Sequence, residues 1–186
     1  MTAAAELIAE LGWGRVTTRA VAGRADLPHG TVSYHFRGKQ EMLTEAALHA
    51  FRQAIPVTRI ATLKTVDDLI GLIAAEVSDH DAIDPVLSRL MLEAMREAER
   101  DPLLRERMAS MLGEYRRVTA ETVRADQERG AVLDVAPPAA IATLLGAVGD
   151  GLLLHALLDP ELDIAAGIDA LRAMLVAREG TSPASS

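Results

Sequence analysis

Three Asp-Pro pairs punctuate this chain, and they constrain its fold more than any other feature of the sequence. The pairs are Asp84-Pro85, Asp101-Pro102 and Asp159-Pro160. An aspartate side chain caps the free amides at a helix start, and proline suits the first helical position because it has no amide hydrogen to leave unpaired. Each pair therefore predicts the start of a helix, and Thr65 with Asp68 predicts another through a capping box.

Apolar residues between these marks recur every three or four positions, which is the spacing of one face of an α-helix. No stretch alternates between apolar and polar residues as a half-buried strand does. Alanine and leucine dominate, and only 3% of the residues are aromatic, which also favours helix over sheet. We therefore predict an all-α fold of about nine helices. Their expected ranges are 4–11, 17–24, 28–36, 39–55, 65–77, 84–99, 101–129, 137–158 and 161–178.

The composition limits the class of protein. There is no cysteine, so disulfides and thiolate metal sites are excluded, and a reducing cytoplasm is the expected location. The first residues lack the basic segment of a signal peptide, and no apolar run approaches the ~18 residues of a membrane span. We expect a soluble cytoplasmic protein.

Positive charge is concentrated in one short segment of an acidic chain. The formal net charge is −8, whereas residues 13–40 contain five Lys or Arg residues and one acidic residue, Asp26. Two of the five histidines, His29 and His35, lie in the same segment. A local basic segment in an acidic protein indicates one anionic partner rather than general affinity for polyanions. A run of solvated surface charges is the alternative interpretation.

Two short helices joined by a tight turn are predicted within this segment. They cover residues 17–24 and 28–36, with a turn at Asp26, Leu27 and Pro28. This is the length and layout of a helix-turn-helix, whose second helix enters the DNA major groove. The small core between the two helices is expected to consist of Val21, Ala22, Leu27, Val32 and Phe36.

The residue types of the motif suit contact with DNA. Gly30 and Thr31 keep the first turn of the second helix slim enough to approach base edges. Arg19 carries the planar fork that reads guanine, and Lys39 supplies a point charge just beyond the second helix. The hydroxyl and imidazole donors available for phosphates belong to Thr31, Ser33, Tyr34 and His35.

At these positions the sequence resembles the tetracycline-repressor (TetR) family of bacterial transcription regulators. The shared pattern is Thr17-Thr18-Arg19-Ala20-Val21-Ala22, Ala25, Gly30-Thr31-Val32, Tyr34-His35-Phe36, Lys39, Glu41 and Leu43. The resemblance implies a DNA-binding domain at residues 1–46 and a helical ligand-binding and dimerisation domain at 47–179. Residues 180–186 are expected to form a disordered tail.

Carried over to the matching positions, the resemblance implies individual roles. Thr18 would contact a phosphate at the start of the first motif helix, and Arg19 and His29 would read bases. Arg24 is expected to be solvated or ion-paired instead. The full set of expected DNA-binding residues is Thr17, Thr18, Arg19, His29, Gly30, Thr31, Ser33, Tyr34, His35 and Lys39.

Three positions depart from the family pattern. Asp26 stands where glycine is usual, and aspartate tolerates the left-handed conformation at some cost. Pro28 stands where a capping serine is common, so one helix amide loses its hydroxyl partner. Ser33 replaces a frequent tyrosine, which is expected to weaken one phosphate contact.

A single motif reads only a few base pairs, so a two-fold dimer on a palindromic operator is expected. The last two predicted helices carry stripes of small and apolar residues that suit a four-helix dimer interface. Intramolecular core packing is the alternative for the same stripes. The expected interface residues are Ala142, Leu145, Gly146, Gly149, Leu152, Ile168, Leu171 and Leu175.

Methionines cluster on two consecutive helices of the second half. Unbranched, soft side chains line adaptable pockets well, so this cluster predicts a site for a small, mostly apolar effector. Plain core packing is the alternative. The expected pocket residues are Met91, Met95, Met108, Met111, Tyr115 and His155. By resemblance, effector binding would change the separation of the two DNA-binding heads and release the operator.

An enzyme would need a convergent set of polar residues, and the sequence contains no phosphate-binding loop, HExxH motif or nucleophile elbow. Asp79, His80 and Asp81 form the one candidate metal cluster, and the pattern is typical of a solvated turn. We therefore expect no enzyme activity, no metal and no cofactor. A helical ligand-binding or interaction protein without operator function is the alternative. Steep salt dependence of DNA binding would distinguish the two.

Overall fold

The computed structural model describes residues 1–77, 84–159 and 161–176. These residues form ten α-helices and one 3-10 turn and contain no β-strand, so the all-α prediction is confirmed. One helix, α5, is not predicted from the sequence. The elements are α1 (Thr2–Leu11), a 3-10 turn (Trp13–Arg15), α2 (Thr18–Arg24), α3 (His29–His35), α4 (Lys39–Ala54), α5 (Val57–Thr62), α6 (Val66–Val77), α7 (Pro85–Ala98), α8 (Pro102–Glu128), α9 (Pro138–Leu158) and α10 (Ile164–Leu175).

The chain divides into two compact units. The first unit consists of Met1–Pro56 and Asp84–Leu112, and the second of Val57–Ile83 and Gly113–Ser186. Helix α8 contributes its first part to one unit and its last part to the other. This division groups α7 and the start of α8 with the N-terminal helices, and the expected domain boundary after residue 46 stays a prediction. The expected tail, 180–186, lies outside the described residues.

In the first unit, α1 lies against α4 and α7. Its inward face is fully buried at Ile8, and the neighbouring Trp13 is only 1% exposed. Helix α4 contributes Leu43 and Leu48, and α7 contributes Leu90, all fully buried. These contacts bring α7, which is distant in sequence, into the core of the first unit.

In the second unit, α6 packs against α9 and α10. Gly149 of α9 faces Ile73 of α6, since a Cβ atom at residue 149 would lie in ordinary contact with the Ile73 side chain, at 3.6 Å. A single antiparallel bridge pairs Val132 with Val176 and ties the loop before α9 to the end of α10.

The expected helix caps are present at three of the four predicted starts. Asp84 accepts two amide hydrogen bonds in the first turn of α7, at 2.8 and 3.2 Å. Asp101 does the same for α8, at 2.9 and 3.1 Å. Thr65 and Asp68 each accept from the other's amide at 3.0 Å, which is the predicted capping box.

The start predicted at Asp159-Pro160 is wrong. Asp159 accepts the amide of Glu161 at 3.1 Å, but no helix begins there. Helix α10 begins at Ile164, and its cap is Asp163, which accepts the amide of Ala166 at 2.9 Å. Asp163 therefore caps α10 in place of Asp159, because its carboxylate bonds to the amide three residues later, as an N-cap side chain does.

Helix α9 is more apolar than expected. By length and composition its 21 residues are sufficient to cross a membrane, although only 22% of the most apolar window is buried within the chain. The prediction that no apolar segment is long enough to span a membrane is therefore wrong for residues 138–158, which contain a single charged residue, Asp150. One such helix is weak evidence for a membrane span, and much of its apolar surface is accessible in the single chain.

Candidate nucleic-acid interface

Helices α2 and α3 form the predicted helix-turn-helix. The amide of Leu27 donates to the Ala22 carbonyl at 2.9 Å, and that of Asp26 to Gly23 at 3.3 Å. This is the Schellman pattern of helix termination, and it requires a left-handed residue after the helix. Asp26 occupies that position with φ of 52°, so the expected conformation at the departure from glycine is confirmed.

Small apolar side chains hold the two motif helices together. Val21, Ala22 and Val32 are buried, as predicted. Phe36 is half-buried at the end of α3. Leu27 is 47% exposed, so its predicted place in this core is wrong. The Leu27 amide is hydrogen-bonded to the end of α2 in the Schellman turn, and the Leu27 side chain remains accessible to solvent.

Pro28 immediately precedes α3 instead of occupying its first turn. It is the N-cap residue, with φ of −54° and ψ of 137°, and no side chain caps the helix start. The amide of Thr31 bonds to the Pro28 carbonyl at 2.9 Å. The missing hydroxyl partner expected from the proline is thus confirmed.

The outer side of α3 presents the predicted donors. Gly30, Ser33, Tyr34 and His35 are exposed, and Thr31 is half-buried. Tyr34 is 86% exposed, and its ring meets the His35 ring edge-on with centroids 5.2 Å apart. An exposed aromatic pair next to a slim helix start can lie along a phosphate backbone. His29 is the first residue of α3, but its side chain lies outside the described part of the structure.

The residues at the start of α2 divide between capping and contact. The Thr17 hydroxyl accepts the Ala20 amide at 3.1 Å and caps the helix. Thr18 is half-buried at the first helical position. Arg19 is exposed and makes no hydrogen bond or ion pair within the described residues, so its guanidinium is available to a ligand.

Lys39 is held in place by the turn before α2. Its ammonium donates to the Gly14 carbonyl at 2.6 Å, and the side chain is half-buried. Two ammonium protons remain for a phosphate. The neighbouring Arg37 is exposed, while its amide donates to the Glu41 carboxylate at 2.7 Å. Arg37 belongs to the basic segment at residues 13–40, but it is not among the residues that we expect to bind DNA.

Arg24 does not face the DNA side as a free cation. Its guanidinium donates to Glu10 at 2.7 and 2.9 Å and to Glu6 at 3.3 Å. The hydrogen bond from Arg24 lowers the pKa of Glu10, and the same bond raises the pKa of Arg24. The prediction that Arg24 is ion-paired is confirmed, and the pairs tie α2 to α1.

A hydrogen-bond network that the sequence does not reveal joins α7 to the base of the motif. Glu93 accepts the Trp13 amide at 2.8 Å, and the Trp13 indole donates to Gln40 at 2.8 Å. Gln40 in turn donates to Glu97 at 3.1 Å. Trp13, Gln40, Glu93 and Glu97 are referred to below as the α7 latch. The one tryptophan of the chain, between two glycines, was its only sequence signal.

The expected pocket residues are distributed over both units. Met108 and Met111 are buried, Met91 is half-buried and Met95 is 46% exposed in the first unit. In the second unit Tyr115 is half-buried and His155 is exposed. The first unit also contains a groove of about 410 Å³ between α1, α4 and α7, lined by none of these six. The expected effector site stays a prediction.

The expected dimer residues mostly face the interior of the second unit. Ala142, Leu145 and Ile168 are buried there, Gly149 lies against Ile73, and Leu152 is near the Cβ position of Gly167 at 3.6 Å. Leu171 and Leu175 are half-buried, and Gly146 is exposed. The accessible apolar surface of α9 and α10 is a different set: Leu144, Ala147, Leu154, Leu158, Ala170 and Met174.

The described residues contain no group of three or more potential metal ligands. The candidate cluster Asp79, His80 and Asp81 lies outside them.

Solved structures of bacterial regulators share this fold. A transcriptional regulator from Saccharomonospora viridis, in complex with choline, is 22% identical, with a TM-score of 0.75 and 95% of each chain covered. SmeT, repressor of the Stenotrophomonas maltophilia efflux pump SmeDEF, is 22% identical, with a TM-score of 0.66 and coverage of 98% of this chain and 91% of SmeT. FadR from Bacillus subtilis, in complex with stearoyl-CoA, is 18% identical, with a TM-score of 0.71 and coverage of 94% and 95%.

Sequence comparison supplies the family. No curated protein sequence matches the chain. A model described as bacterial regulatory proteins, tetR family, matches residues 1–46, and one described as BetI-type transcriptional repressor, C-terminal, matches residues 67–178. Together the two models cover most of the chain, and the first coincides with the helix-turn-helix described above. The chain therefore belongs to the TetR family of DNA-binding transcriptional regulators.

Proposed function

We propose that this regulator is a cytoplasmic repressor that binds a palindromic operator as a homodimer and leaves it when a small, mostly apolar effector binds. The observation that carries the proposal is the outer side of α2 and α3. There Arg19, Ser33, Tyr34 and His35 are exposed in a chain whose net charge is −8. Such a face suits a polyanion, and the α3 helix has the small first turn that a major groove admits.

The α7 latch supports a route from effector to operator. Helix α7 carries Met91 and Met95, two of the expected pocket residues, and also Glu93 and Glu97, which bond to the base of the motif. A ligand that displaces α7 would therefore move or release Trp13. Because a ligand shifts an equilibrium only through its different affinity for two states, α7 supplies the element that could differ between them.

The relatives support a small-molecule effector. Structural neighbours were solved with choline, a small cation, with triclosan, which is mostly apolar, and with stearoyl-CoA, whose long acyl chain is apolar. The last two offer apolar surface for a pocket to contact. The methionines of α7 and α8 provide adaptable apolar surface of this kind. We infer regulation by binding alone, without catalysis.

The exposed apolar face of α9 and α10 supports dimerisation. We place the interface on Leu144, Ala147, Leu154, Leu158, Ala170 and Met174. Leu158 and Met174 are 77% and 70% exposed, and a second copy of the chain would remove them from water. This face replaces the buried residues Ala142, Leu145 and Ile168 in the expected interface.

Operator binding can be tested with fragments selected from genomic DNA, by fluorescence anisotropy over a range of salt concentrations. Arg19→Ala should weaken binding by about tenfold or more and relax base preference, because one bidentate base contact contributes ~1–3 kcal/mol of discrimination. Lys39→Ala should reduce the slope of log K against log salt by about 0.9, the value for one lost phosphate contact.

Arg89→Ala is the matched control. Arg89 is an exposed arginine of the first unit without a hydrogen-bond or ion-pair partner among the described residues, and it belongs to α7 rather than to the motif helices. This variant should bind as the native protein does. If no fragment binds at low salt, or Arg19→Ala and Arg89→Ala weaken binding equally, the chain is instead a helical ligand-binding protein without operator function.

A further inference from the structure

The second unit contains a groove between the later part of α8 and the start of α9 that the proposed regulation does not use. Its volume is about 390 Å³. The residues that line it are Gly113, Arg116, Arg117, Ala120, Glu121, Arg124, Ala139 and Thr143. We call it the arginine groove.

Charge is unevenly distributed in the arginine groove. Three arginines face one carboxylate, that of Glu121, which pairs with Arg117 at 2.7 Å. Arg116 and Arg124 are exposed and make no hydrogen bond or ion pair within the described residues. Two uncompensated guanidinium groups in one concave site are unusual in a chain with a net charge of −8.

The other walls of the groove also favour an anion. Gly113 and Ala120 form a floor of small residues, and the Arg116 guanidinium lies 3.8 Å from the position of a Gly113 Cβ. Ala139 and Thr143 lie in the first turns of α9, whose N-cap, Pro137, offers no side-chain acceptor. Pro138 has no amide hydrogen, and the amides of Ala140 and Ile141 donate to the Pro137 carbonyl at 2.9 and 3.2 Å, so this end adds mainly the positive end of the helix dipole.

We propose that the arginine groove binds a small molecule with at least two separate anionic groups, such as a diphosphate ester or a polycarboxylate. Arg116 and Arg124 are eight residues apart, and a helix rises 1.5 Å per residue, so their Cα atoms are separated by about 12 Å along α8. We expect a compact anion to engage mainly one of the two guanidinium groups. Two or more anionic groups engage both arginines, each through a planar fork that matches phosphate or carboxylate.

The site is independent of the operator and of the apolar effector. It uses none of the residues placed in the motif, the α7 latch or the methionine cluster. Its test therefore needs no DNA, and its failure leaves the proposed repressor function untouched.

Calorimetric titration of the full chain with pyrophosphate, citrate and sulfate at fixed ionic strength tests the proposal. Pyrophosphate, citrate or both should bind at least tenfold more tightly than sulfate, and the stronger of the two identifies phosphoryl or carboxylate chemistry. Arg116→Gln and Arg124→Gln should each weaken the tighter probe by about tenfold, the effect of ~1.4 kcal/mol. Arg124→Lys should recover only part of the loss because it restores charge without the fork.

Arg89→Gln, with the same charge change in the other unit, is the control and should leave binding unchanged. Circular dichroism and thermal unfolding without ligand should match the native protein, since Arg116 and Arg124 are exposed and make no hydrogen bond or ion pair within the described residues. Equal weakening by all three Gln variants, or no binding of any probe at millimolar concentration, would overturn the proposal. So would a change of oligomeric state without a change in binding, which would assign the groove to a partner subunit.

Discussion

Asp26 carries the most constrained backbone of the helix-turn-helix. It is the one residue other than glycine with positive φ in the described chain, and it terminates α2 at the turn into α3. Left-handed backbone costs an L-residue roughly 1–2 kcal/mol, less for aspartate, whose short side chain bonds locally. The backbone of the motif is therefore strained at Asp26, and glycine would remove this strain. Asp26 also adds a negative charge to a DNA-binding motif.

Asp26→Gly is expected to raise the free energy of unfolding by up to about 1 kcal/mol, since glycine adopts positive φ without a Cβ clash. For a chain of this size that corresponds to a rise of about 2–4 °C in Tm, measured by circular dichroism. Asp26→Asn should change stability little but tighten DNA binding, because it removes only the negative charge. An Asp26→Val variant as stable as the native protein would contradict the account of the turn.

At the scale of elements, α7 belongs to the same compact unit as the helix-turn-helix. Glu93 lies 80 residues from Trp13 in sequence and accepts its amide at 2.8 Å. Its carboxylate also lies 3.2 Å from the Cβ position of Gly12, where φ is 81°. Arg96 donates to the same carboxylate at 2.7 Å. Glycine is needed at residue 12 for this backbone conformation, and an added Cβ would also be tightly packed against the Glu93 carboxylate.

Glu93→Ala should destabilise the first unit by about 1–3 kcal/mol, the cost of leaving the Trp13 amide without its acceptor. Trp13 is the single tryptophan, so urea unfolding followed by its fluorescence reports on this unit. Operator affinity should fall in parallel. Glu93→Gln retains an acceptor and is the matched control, with a smaller loss in both measurements. Native-like stability and DNA binding in Glu93→Ala would exclude the latch as a support of the motif.

At the scale of the whole molecule, α9 carries an acidic residue on its accessible apolar face. Asp150 lies two turns after Thr143 and one turn before Leu154. Neighbouring apolar groups desolvate its carboxyl and raise its pKa above the ordinary 3.8, although the side chain is still accessible in the single chain. A partner subunit on this face would desolvate the carboxylate further.

Asp150→Asn should therefore tighten the dimer, by severalfold or more in Kd measured by sedimentation equilibrium. The folded-state pKa is raised, so the cost of the charged carboxyl is present above that pKa and disappears as pH falls through it. Native dimerisation should strengthen from neutral pH towards mildly acidic pH, and the variant should lose this component. Asp134→Asn, on an exposed loop, is the control. Leu154→Glu should yield monomers, and dimers unaffected by either substitution would place the interface elsewhere.

Local chemistry made the helices and the motif predictable from sequence. Three of the predicted helix starts are capped as expected, because a carboxylate or hydroxyl accepts from the free amides within three residues of it. The capping residues are Asp84, Asp101 and the pair Thr65 and Asp68. The turn at Asp26 follows from similarly local bonds. The misplaced start at Asp159 shows the limit of such signals, since Asp163 competes for the same role only a few residues later.

The sequence by itself therefore determined the all-α fold, most helix starts and the exposed donors of α3, since each depends on neighbours within one or two turns. Only the tertiary structure decided which side of α9 is buried. Small and apolar residues lie on all sides of this helix, so its sequence does not indicate a single buried face. It also decided that Glu93 meets Trp13 and that Arg116 and Arg124 remain unpaired. Contacts between segments that are distant in sequence depend on how whole helices pack, so the spacing of residues along the chain does not predict these contacts.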